Sequence, residues 1–270
     1  MKFFCVSDIH GYYDPLIVAL NEAGFEPDNP DHTLIACGDH FDRGRQPKEV
    51  LGFLIQLPRK VLIWGNHDKL LLESCNRGFF YGHDESNGTL GTVRDLSEDF
   101  AQQYKIKHGD YPEVELRCQE VLRIVQPFYQ QHVDYFETNR YIFVHSFVPL
   151  NCLDDLPMYY TRGKVFEKMD NWRNAHYREW EAARWGNPFD LAKRGLLPDK
   201  TLVFGHWHTS WPRHHWGWDD EVGPEWGPDA DFSPYYGKGF VGIDACTAHS
   251  GKVNVVVIED TPMMGNSEFS

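Results

Sequence analysis

The chain of 270 residues lacks long apolar runs and is short of positive charge. No stretch approaches the roughly 20 consecutive apolar residues of a membrane-spanning helix, and the apolar run "KFFCV" is too short for the core of a signal peptide. Lysine and arginine number 26 against 40 aspartates and glutamates, so the formal net charge is −14. Because an acidic surface repels phosphate backbones, we expect a cytoplasmic protein that has no membrane segment and binds no long nucleic acid.

Closely spaced cysteine pairs are also absent. No two of the six cysteines have the C-x-x-C spacing of zinc ribbons or thiol redox motifs. Several lie inside apolar runs, where a free thiol behaves as a small hydrophobic group. We therefore predict reduced, structural thiols, as is usual in the cytosol. They are Cys5, Cys37, Cys75, Cys118, Cys152 and Cys246.

Short apolar runs rich in β-branched and aromatic residues recur along the chain and predict buried strands. They span residues 2–6, 33–37, 60–64, 141–145, 201–205, 240–244 and 252–259. Helical patterns at 14–24 and 47–57 separate the first three, and Asp14 is the expected cap of the first helix. This alternation predicts an α/β fold. Long helices are missing between the strands after residue 201, so we expect those strands to pair antiparallel.

The middle of the chain, residues 68–135, is predicted to be mostly helical and to form an insertion beside the sheet. A second insertion spans about 151–199. Residues 214–239 are acidic and rich in tryptophan, glycine and proline, which predicts an ordered loop. Because the sequence contains no internal repeat and no low-complexity linker, we predict one domain over residues 1–270.

Five of the predicted strands are followed at once by side chains that bind divalent cations. Taken alone, each group has an ordinary explanation: "DIHG" suits a turn or a cap, "GNHD" suits a turn, and a single histidine is often a packed core residue. Ligand sites in open α/β sheets, however, collect at the carboxyl ends of strands. Together the groups predict a metal site, since paired buried carboxylates need a positive partner. The side chains are Asp8, His10, Asp39, Asp42, Asn66, His67, Asp68, His145, His206 and His208.

The motifs "DIHG", "GDHFDRG", "GNHD", "FVHS" and "GHWH" follow one another between residues 8 and 208. In these motifs the chain resembles the calcineurin-like metallophosphoesterases, and most of all their phosphoprotein phosphatase branch with its bacterial and phage members. The resemblance does not extend to the helical insertions or to residues 214–239. It implies a central β-sandwich of mixed sheets flanked by helices.

The resemblance also implies two divalent metal ions bridged by an aspartate and by a hydroxide or water. On matching positions the ligands would be Asp8, His10 and Asp39 for the first ion and Asn66, His145 and His206 for the second. Asp39 would be the bridge. His208 is a further candidate ligand of the first ion, with a hydrogen bond or plain packing as its alternatives. Manganese is the expected metal, and such ligands also accept iron, zinc, cobalt and nickel.

The same resemblance assigns roles next to the metals. Arg43 would contact the substrate phosphate, which its planar guanidinium suits, and Asn66 would help to bind that phosphate. His67 would protonate the leaving oxygen, and Asp42 would orient His67 and raise its pKa.

A second phosphate-binding arginine is expected before the last histidine motif. Arg184 is the candidate, because "RWGNP" looks like a loop of the family; Arg162 and Arg173 are competitors, and an exposed helix end is the ordinary alternative for Arg184. His40, inside "GDHFDRG", is expected to line the cleft or to face solvent.

The predicted function is hydrolysis of phosphomonoesters, including phosphoserine or phosphothreonine in proteins. The alternatives are a hydrolase of dinucleoside polyphosphates or other nucleotides, and a phosphodiesterase. The related diadenosine tetraphosphatases usually lack the aspartate that corresponds to Asp42, which modestly favours the phosphatase branch. A non-catalytic scaffold is disfavoured because all expected ligands are present. Several tryptophans near the last motif either pack or stack on a nucleobase or peptide. They are Trp207, Trp211, Trp216 and Trp218.

Overall fold

Two five-stranded sheets of mixed direction lie at the centre of the molecule. The computed structural model describes residues 1–109, 112–153, 164–216 and 222–263. The first sheet contains β1 (Lys2–Val6), β2 (His32–Ala36), β3 (Lys60–Ile63), β4 (His132–Val133) and β12 (Val256–Glu259). The second contains β5 (Phe136–Glu137), β6 (Tyr141–Phe143), β9 (Thr201–Phe204), β10 (Tyr235–Gly237) and β11 (Phe240–Gly242). Each predicted strand is confirmed, with bounds shifted by a few residues.

The first sheet has the order β12–β1–β2–β3–β4, in which β1 to β4 are parallel and β12 is antiparallel to β1. Helices α1 (Tyr13–Glu22) and α2 (Pro47–Gln56) connect the first three strands. This confirms the predicted crossover units. The predicted cap of α1 is wrong, because Asp14 lies inside its first turn. There the Asp14 carboxylate accepts a hydrogen bond from Nε2 of Gln46 at 2.9 Å.

The second sheet has the order β10–β11–β9–β6–β5. Strands β6, β9 and β11 are parallel, and β10 and β5 are antiparallel to their neighbours. The expectation of antiparallel pairing after residue 201 is therefore wrong for β9 and β11. More than thirty residues separate these two strands, including helix α10 (Ser210–His215). That length allows a crossover that returns the chain in the same direction.

The two sheets pack face to face. The ring of Phe3 in the first sheet lies 6.3 Å from that of Phe143 and 5.8 Å from that of Phe136 in the second. Further side chains from both sheets fill the same layer: Cys5, Ile35, Cys37, Val61, Ile63, Val203, Val241, Ile243, Val256 and Ile258. Such interdigitated inner faces define a β-sandwich, and they confirm the predicted fold.

Helices cover the outer faces of the sandwich. Between β3 and β4 the described residues form α3 (Asn66–Arg77), α4 (Gly82–Ser86), α5 (Thr89–Leu96), α6 (Glu98–Tyr104) and α7 (Glu113–Tyr129). Leu71, Val93 and Val121 of these helices join α1 and α2 in one buried cluster on the first sheet. The helical character predicted for this part of the chain is thus confirmed.

Shorter elements cover the second sheet. They are β7 (Leu150–Cys152), β8 (Phe166–Lys168), a 3₁₀ helix (Trp172–Asn174), α8 (Tyr177–Ala183) and α9 (Pro188–Lys193), and α11 (Thr247–Ser250) precedes β12. Trp180 and Phe189 are buried at the centre of this layer. All six cysteines are free, and four of them are buried, as predicted. Within the described ranges, every helix is too short or too polar to cross a bilayer.

Candidate metal centre

The predicted ligands lie just beyond the carboxyl ends of sandwich strands, on loops or, for Asn66, at the first residue of α3. Four of them have backbone φ angles in the left-handed region: 52° at Asp8, 50° at His10, 54° at Asp39 and 64° at His206. Residues other than glycine rarely adopt this conformation, and it persists only where the surrounding structure holds it. Because four predicted ligands share this left-handed conformation, the loops form one strained site at the edge of both sheets.

The first three predicted ligands form one cluster. Nε2 of His10 lies 4.0 Å from Oδ1 of Asp8 and 3.7 Å from Oδ2 of Asp39. Nδ1 of His10 donates a hydrogen bond to the Phe41 carbonyl at 2.9 Å. That bond leaves the Nε2 lone pair free to coordinate a metal. The second oxygen of Asp8 accepts the backbone N–H of His206 at 2.8 Å, which fixes the carboxylate.

The other predicted ligands form a second cluster around His145. Nε2 of His145 lies 2.8 Å from Oδ1 of Asn66, 3.2 Å from Nδ1 of His206 and 3.5 Å from Oδ1 of Asp39. Nδ1 of His145 is bonded to the Cys37 carbonyl at 2.9 Å. As at His10, this backbone contact selects the tautomer whose Nε2 can coordinate. Four donor atoms therefore converge on one point.

Asp39 joins the two clusters. Its Oδ2 atom faces His10, and its Oδ1 atom faces His145. The backbone N–H of His67 donates to Oδ1 at 2.9 Å, so the carboxylate cannot turn freely. One buried carboxylate that presents a separate oxygen to each donor group has the geometry of a bridging ligand.

The electrostatics of the two clusters fit cations. Burial, followed by the neighbouring Asp39, raises the pKa of Asp8 to about 7, and burial raises that of Asp39 to about 6. Burial also lowers the pKa of His145 to about 3 and the pKa values of His10 and His206 well below their usual range. The imidazoles are therefore neutral, and the buried carboxylates need positive charge nearby. Neutral imidazoles together with carboxylates are the donor groups that divalent metals bind.

His67, Asp42 and Arg43 lie beside the first cluster. Nδ1 of His67 is 2.9 Å from Oδ2 of Asp42, and Nε2 of His67 is 3.2 Å from Nη2 of Arg43. The His67 ring meets the His10 ring edge to face, with centroids 4.8 Å apart. Burial lowers the pKa of His67, but Asp39 and Asp42 outweigh burial, so its pKa is raised overall. A proton at this imidazole is therefore held next to the metal ligands.

Two threonines from the helical layer hold Asp42, and no motif in the sequence points to them. Oγ1 of Thr89 donates to Oδ2 of Asp42 at 2.9 Å, and Oγ1 of Thr92 donates to Oδ1 at 3.2 Å. All three side chains are fully buried. Because both oxygens of Asp42 are occupied by donors, its orientation toward His67 is fixed.

Asp68 is a second supporting residue, and it ties the loops of the site together. Its buried carboxylate accepts the backbone N–H groups of Asp39, His40 and Gly65 at 3.0, 3.3 and 2.9 Å. It also contacts Nδ1 of His40 at 3.0 Å and the hydroxyl of Tyr129 at 3.3 Å. His40 is completely buried in this network. The expectation that His40 lines the cleft or faces solvent is therefore wrong.

His208 lies apart from both clusters. Its Nε2 atom is 3.0 Å from Oε1 of Glu225, and its ring packs on Trp226 with centroids 4.4 Å apart. The groups of His, Asp and Glu side chains close enough to share a metal with Asp39 do not include His208 in the part of the chain that the structure describes. The structure thus gives His208 a carboxylate partner, which matches the hydrogen-bond alternative, and its role as a metal ligand stays a prediction.

Arg184 is buried, and its guanidinium forms an ion pair with Asp134. Its Nε atom has no hydrogen-bond partner among the described residues. Arg173, the first competitor, is bound in a fork by Glu137, with Nη2–Oε1 and Nε–Oε2 distances of 2.7 and 2.9 Å. Arg162, the second competitor, lies outside the described residues. The phosphate-binding role of Arg184 stays a prediction.

Known proteins share parts of this sequence. The chain is 30% identical over 129 residues to serine/threonine-protein phosphatase 2 of Salmonella typhimurium, a match that covers 40% of this chain and 58% of that protein. It is 40% identical over 73 residues to the symmetrical bis(5'-nucleosyl)-tetraphosphatase of Salmonella paratyphi B, a match that covers 27% of this chain and 25% of that protein. The chain thus spans less than two thirds of the length of either curated relative.

The fold also has a solved counterpart. A cold-active protein-tyrosine phosphatase of a Shewanella species superposes with a TM-score of 0.51 at 14% sequence identity, over 96% of this chain and 75% of that one. This likeness concerns the fold alone. The family model of the calcineurin-like phosphoesterases matches residues 1–230, which contain every residue of the two clusters. The chain belongs to the calcineurin-like phosphoesterase family.

Proposed function

We propose that the protein hydrolyses phosphoesters at a centre that holds two divalent metal ions, with manganese as the first candidate. One observation carries the proposal: the two oxygens of Asp39 face two separate groups of buried donor atoms. Asp8 and His10 complete the first group. Asn66, His145 and His206 complete the second. Two cations, when bound, supply a water of lowered pKa as the nucleophile and neutralise charge on the phosphoryl oxygens.

The residues beside the two clusters bind the phosphoryl group and protonate the leaving oxygen. Arg43 binds phosphoryl oxygens through its planar guanidinium, and Asn66 is proposed to help bind the same phosphate. The nucleophile adds to phosphorus, the bond to the ester oxygen breaks, and that oxygen takes a proton from Nε2 of His67. Asp42 holds Nδ1 of His67 at 2.9 Å, and Nε2, which accepts a hydrogen bond from Arg43 at 3.2 Å in this structure, would be free to carry the proton once Arg43 binds the phosphoryl oxygens. Arg184 is proposed as a second phosphate-binding residue.

Two classes of substrate are compatible with this chemistry. A phosphorylated side chain of a protein is supported by the longer of the two alignments, that with the serine/threonine-protein phosphatase. A nucleotide is supported by the bis(5'-nucleosyl)-tetraphosphatase match, and also by an aromatic cavity next to His206. Both classes require the same dimetal centre.

The proposal is tested by counting metals and measuring rates on one protein sample. We expect metal-stripped protein reloaded with manganese to bind two ions per chain and to hydrolyse an aryl phosphate. Asp39→Asn should bind manganese at least tenfold more weakly and lose most activity. The matched control is Asp28→Asn, because Asp28 is exposed and belongs to none of the motifs. Two bound ions without any phosphoester hydrolysis would overturn the proposed function, although the proposed metal site would still stand.

A further inference from the structure

A cavity of about 690 Å³ opens beside the metal centre. Its walls include four tryptophans and two basic residues: Trp185, Trp207, Trp211, Trp216, Lys193 and Arg194. The ring of Trp207 lies 5.9 Å from the ring of His206, and the ring of Trp185 lies 6.4 Å from it, both edge to face. His206 also hydrogen-bonds the backbone of Trp185. Two tryptophans that line the cavity are therefore in contact with a proposed metal ligand.

The indoles are fixed at their backs and open toward the cavity. Trp211 stacks on the buried ring of Phe189 with centroids 6.2 Å apart and an angle of 17°. Trp216 meets the same phenyl ring edge to face at 6.0 Å. The four tryptophans are nevertheless only partly buried, so part of each ring remains accessible. Rigid, half-exposed aromatic faces that meet at one cavity are typical of a binding site for a flat ring.

Positive charge lies at the rim of this cavity in an otherwise acidic protein. The ammonium of Lys193 is 5.6 Å from the centre of the Trp216 ring, and the Lys193 side chain is exposed. Arg194 contacts Asp190 at 3.8 Å and donates to the Lys164 carbonyl at 2.6 Å. Lys193 therefore offers an exposed cation beside Trp216, in a lining that also contains the carboxylate of Asp190.

We propose that this cavity binds the nucleobase of a nucleotide substrate whose scissile phosphoryl group lies at the metal centre. The inference deepens the proposed function and rests on it. A volume of about 690 Å³ exceeds the need of a phosphoryl group and lies within the roughly 300–1,000 Å³ of small-molecule pockets. Indole faces stack on any base, and Lys193 faces the further phosphates of a polyphosphate chain.

A phosphopeptide fits the same walls less well. Extended peptides are bound mainly through main-chain hydrogen bonds along a strand edge or a long groove. The lining combines aromatic rings, residues of helices and loops, and Phe166 of the short strand β8; none of the lining residues belongs to an edge strand of either central sheet. A flat heteroaromatic ring uses these walls fully, whereas an extended peptide backbone does not.

The test compares two ligands that differ only in the base. They are hydrolysis-resistant phosphonate analogues of adenosine monophosphate and of ribose 5-phosphate, titrated calorimetrically into the manganese-loaded protein. We expect the adenosine analogue to bind at least about tenfold more tightly. Equal affinities would overturn the proposal. Because binding is measured without turnover, failure of the base preference is distinguishable from failure of phosphoester hydrolysis, which the aryl phosphate assay reports.

Substitutions in the cavity show which residues produce the preference for the adenosine analogue. Trp211→Leu and Trp216→Leu should reduce the affinity ratio of the two analogues to near one, whereas Trp226→Leu, an exposed tryptophan outside the cavity, should leave it unchanged. If the first two variants fail to fold, Lys193→Ala replaces them and should weaken binding of adenosine tetraphosphate several-fold. A phosphoserine peptide that competes tenfold better than the adenosine analogue would assign the cavity to a peptide and overturn the proposal. Trp218 lies outside the described residues and has no part in the test.

Discussion

Oδ2 of Asp42 lies 2.9 Å from Nδ1 of His67, and both side chains are buried. Thr89 and Thr92 donate to the two oxygens of Asp42, so the carboxylate has one orientation. The contact directs Nε2 of His67 toward Arg43, at the edge of the first group of metal ligands. An imidazole held in this way is suited to give a proton to an oxygen that leaves phosphorus.

His67→Asn should slow hydrolysis most for esters whose leaving group must be protonated. We expect kcat to fall about 10²–10⁴-fold on an alkyl phosphate, whose alkoxide is a poor leaving group. On nitrophenyl phosphate the fall should be much smaller, since nitrophenolate leaves without protonation. The measurement is kcat for both esters with manganese saturating.

His83→Asn is the matched control for this series, because His83 is exposed and distant in sequence from the motifs. Equal losses on both esters in His67→Asn would contradict the assignment of His67 as the acid. Metal content, counted in the same samples, separates loss of the acid from loss of a metal.

Asp68→Asn should weaken metal binding although Asp68 is not a ligand. Its carboxylate accepts the backbone N–H groups of Asp39 and Gly65, and an amide nitrogen in its place would face one of these donors. We expect the free energy of unfolding to fall by about 1–3 kcal/mol and manganese affinity to fall about 10–100-fold. Urea unfolding and manganese titration measure the two effects.

Asp84→Asn is the control for Asp68→Asn. Asp84 is equally buried and accepts hydrogen bonds from Ser74, Arg77 and the Tyr81 backbone. It should cost a similar amount of stability and leave manganese affinity unchanged. If both variants weaken manganese binding equally, Asp68 acts through general stability and not by positioning the loops.

The two clusters of proposed metal ligands could be located from the sequence because each member follows an apolar strand within a few residues. Asp8 and Asp39, for example, both follow strands that stand out in the sequence as continuous apolar runs and are buried along nearly their whole length. Thr89 and Thr92 could not be predicted, because they approach Asp42 from a helix about fifty residues away. Contacts of that kind depend on how the helical layer packs, and no local pattern records it.

The errors have the same origin. The parallel pairing of β9 with β11 depends on the path of the long connection between them, which periodicity does not reveal. His40 is expected to line the cleft or to face solvent, yet it is fully buried beside the Asp68 carboxylate. In each case a partner distant in sequence decides the outcome.

Gly65→Ala should disrupt the bridge at Asp39. A Cβ atom at residue 65 would lie 2.1 Å from Oδ1 and 2.2 Å from the backbone nitrogen of Asp39, so the carboxylate must move. We expect manganese affinity to fall at least tenfold and the melting temperature to fall by several degrees.

Gly52→Ala is the control, since nothing lies within 4 Å of its Cβ in helix α2, and alanine should stabilise that helix by about 0.5–1 kcal/mol. Unchanged manganese affinity in Gly65→Ala would contradict the close packing of the two loops.

The stability of the second sheet should depend on acid through Glu137. Burial alone raises the pKa of this carboxyl, but Arg173 and Lys200 outweigh burial, so its pKa is lowered in the folded protein. A carboxylate of this kind stabilises the fold above its unfolded pKa of about 4.3, and the contribution is lost as the pH falls through the lower folded pKa. Glu137→Gln should therefore be less stable than the parent at pH 7, by a difference that shrinks below about pH 4. Urea unfolding at a series of pH values measures this difference.

Glu259→Gln, which removes the exposed partner of Lys2, should change the free energy of unfolding little at any pH. A Glu137→Gln deficit that stays constant down to pH 2 would assign the loss to packing instead of charge.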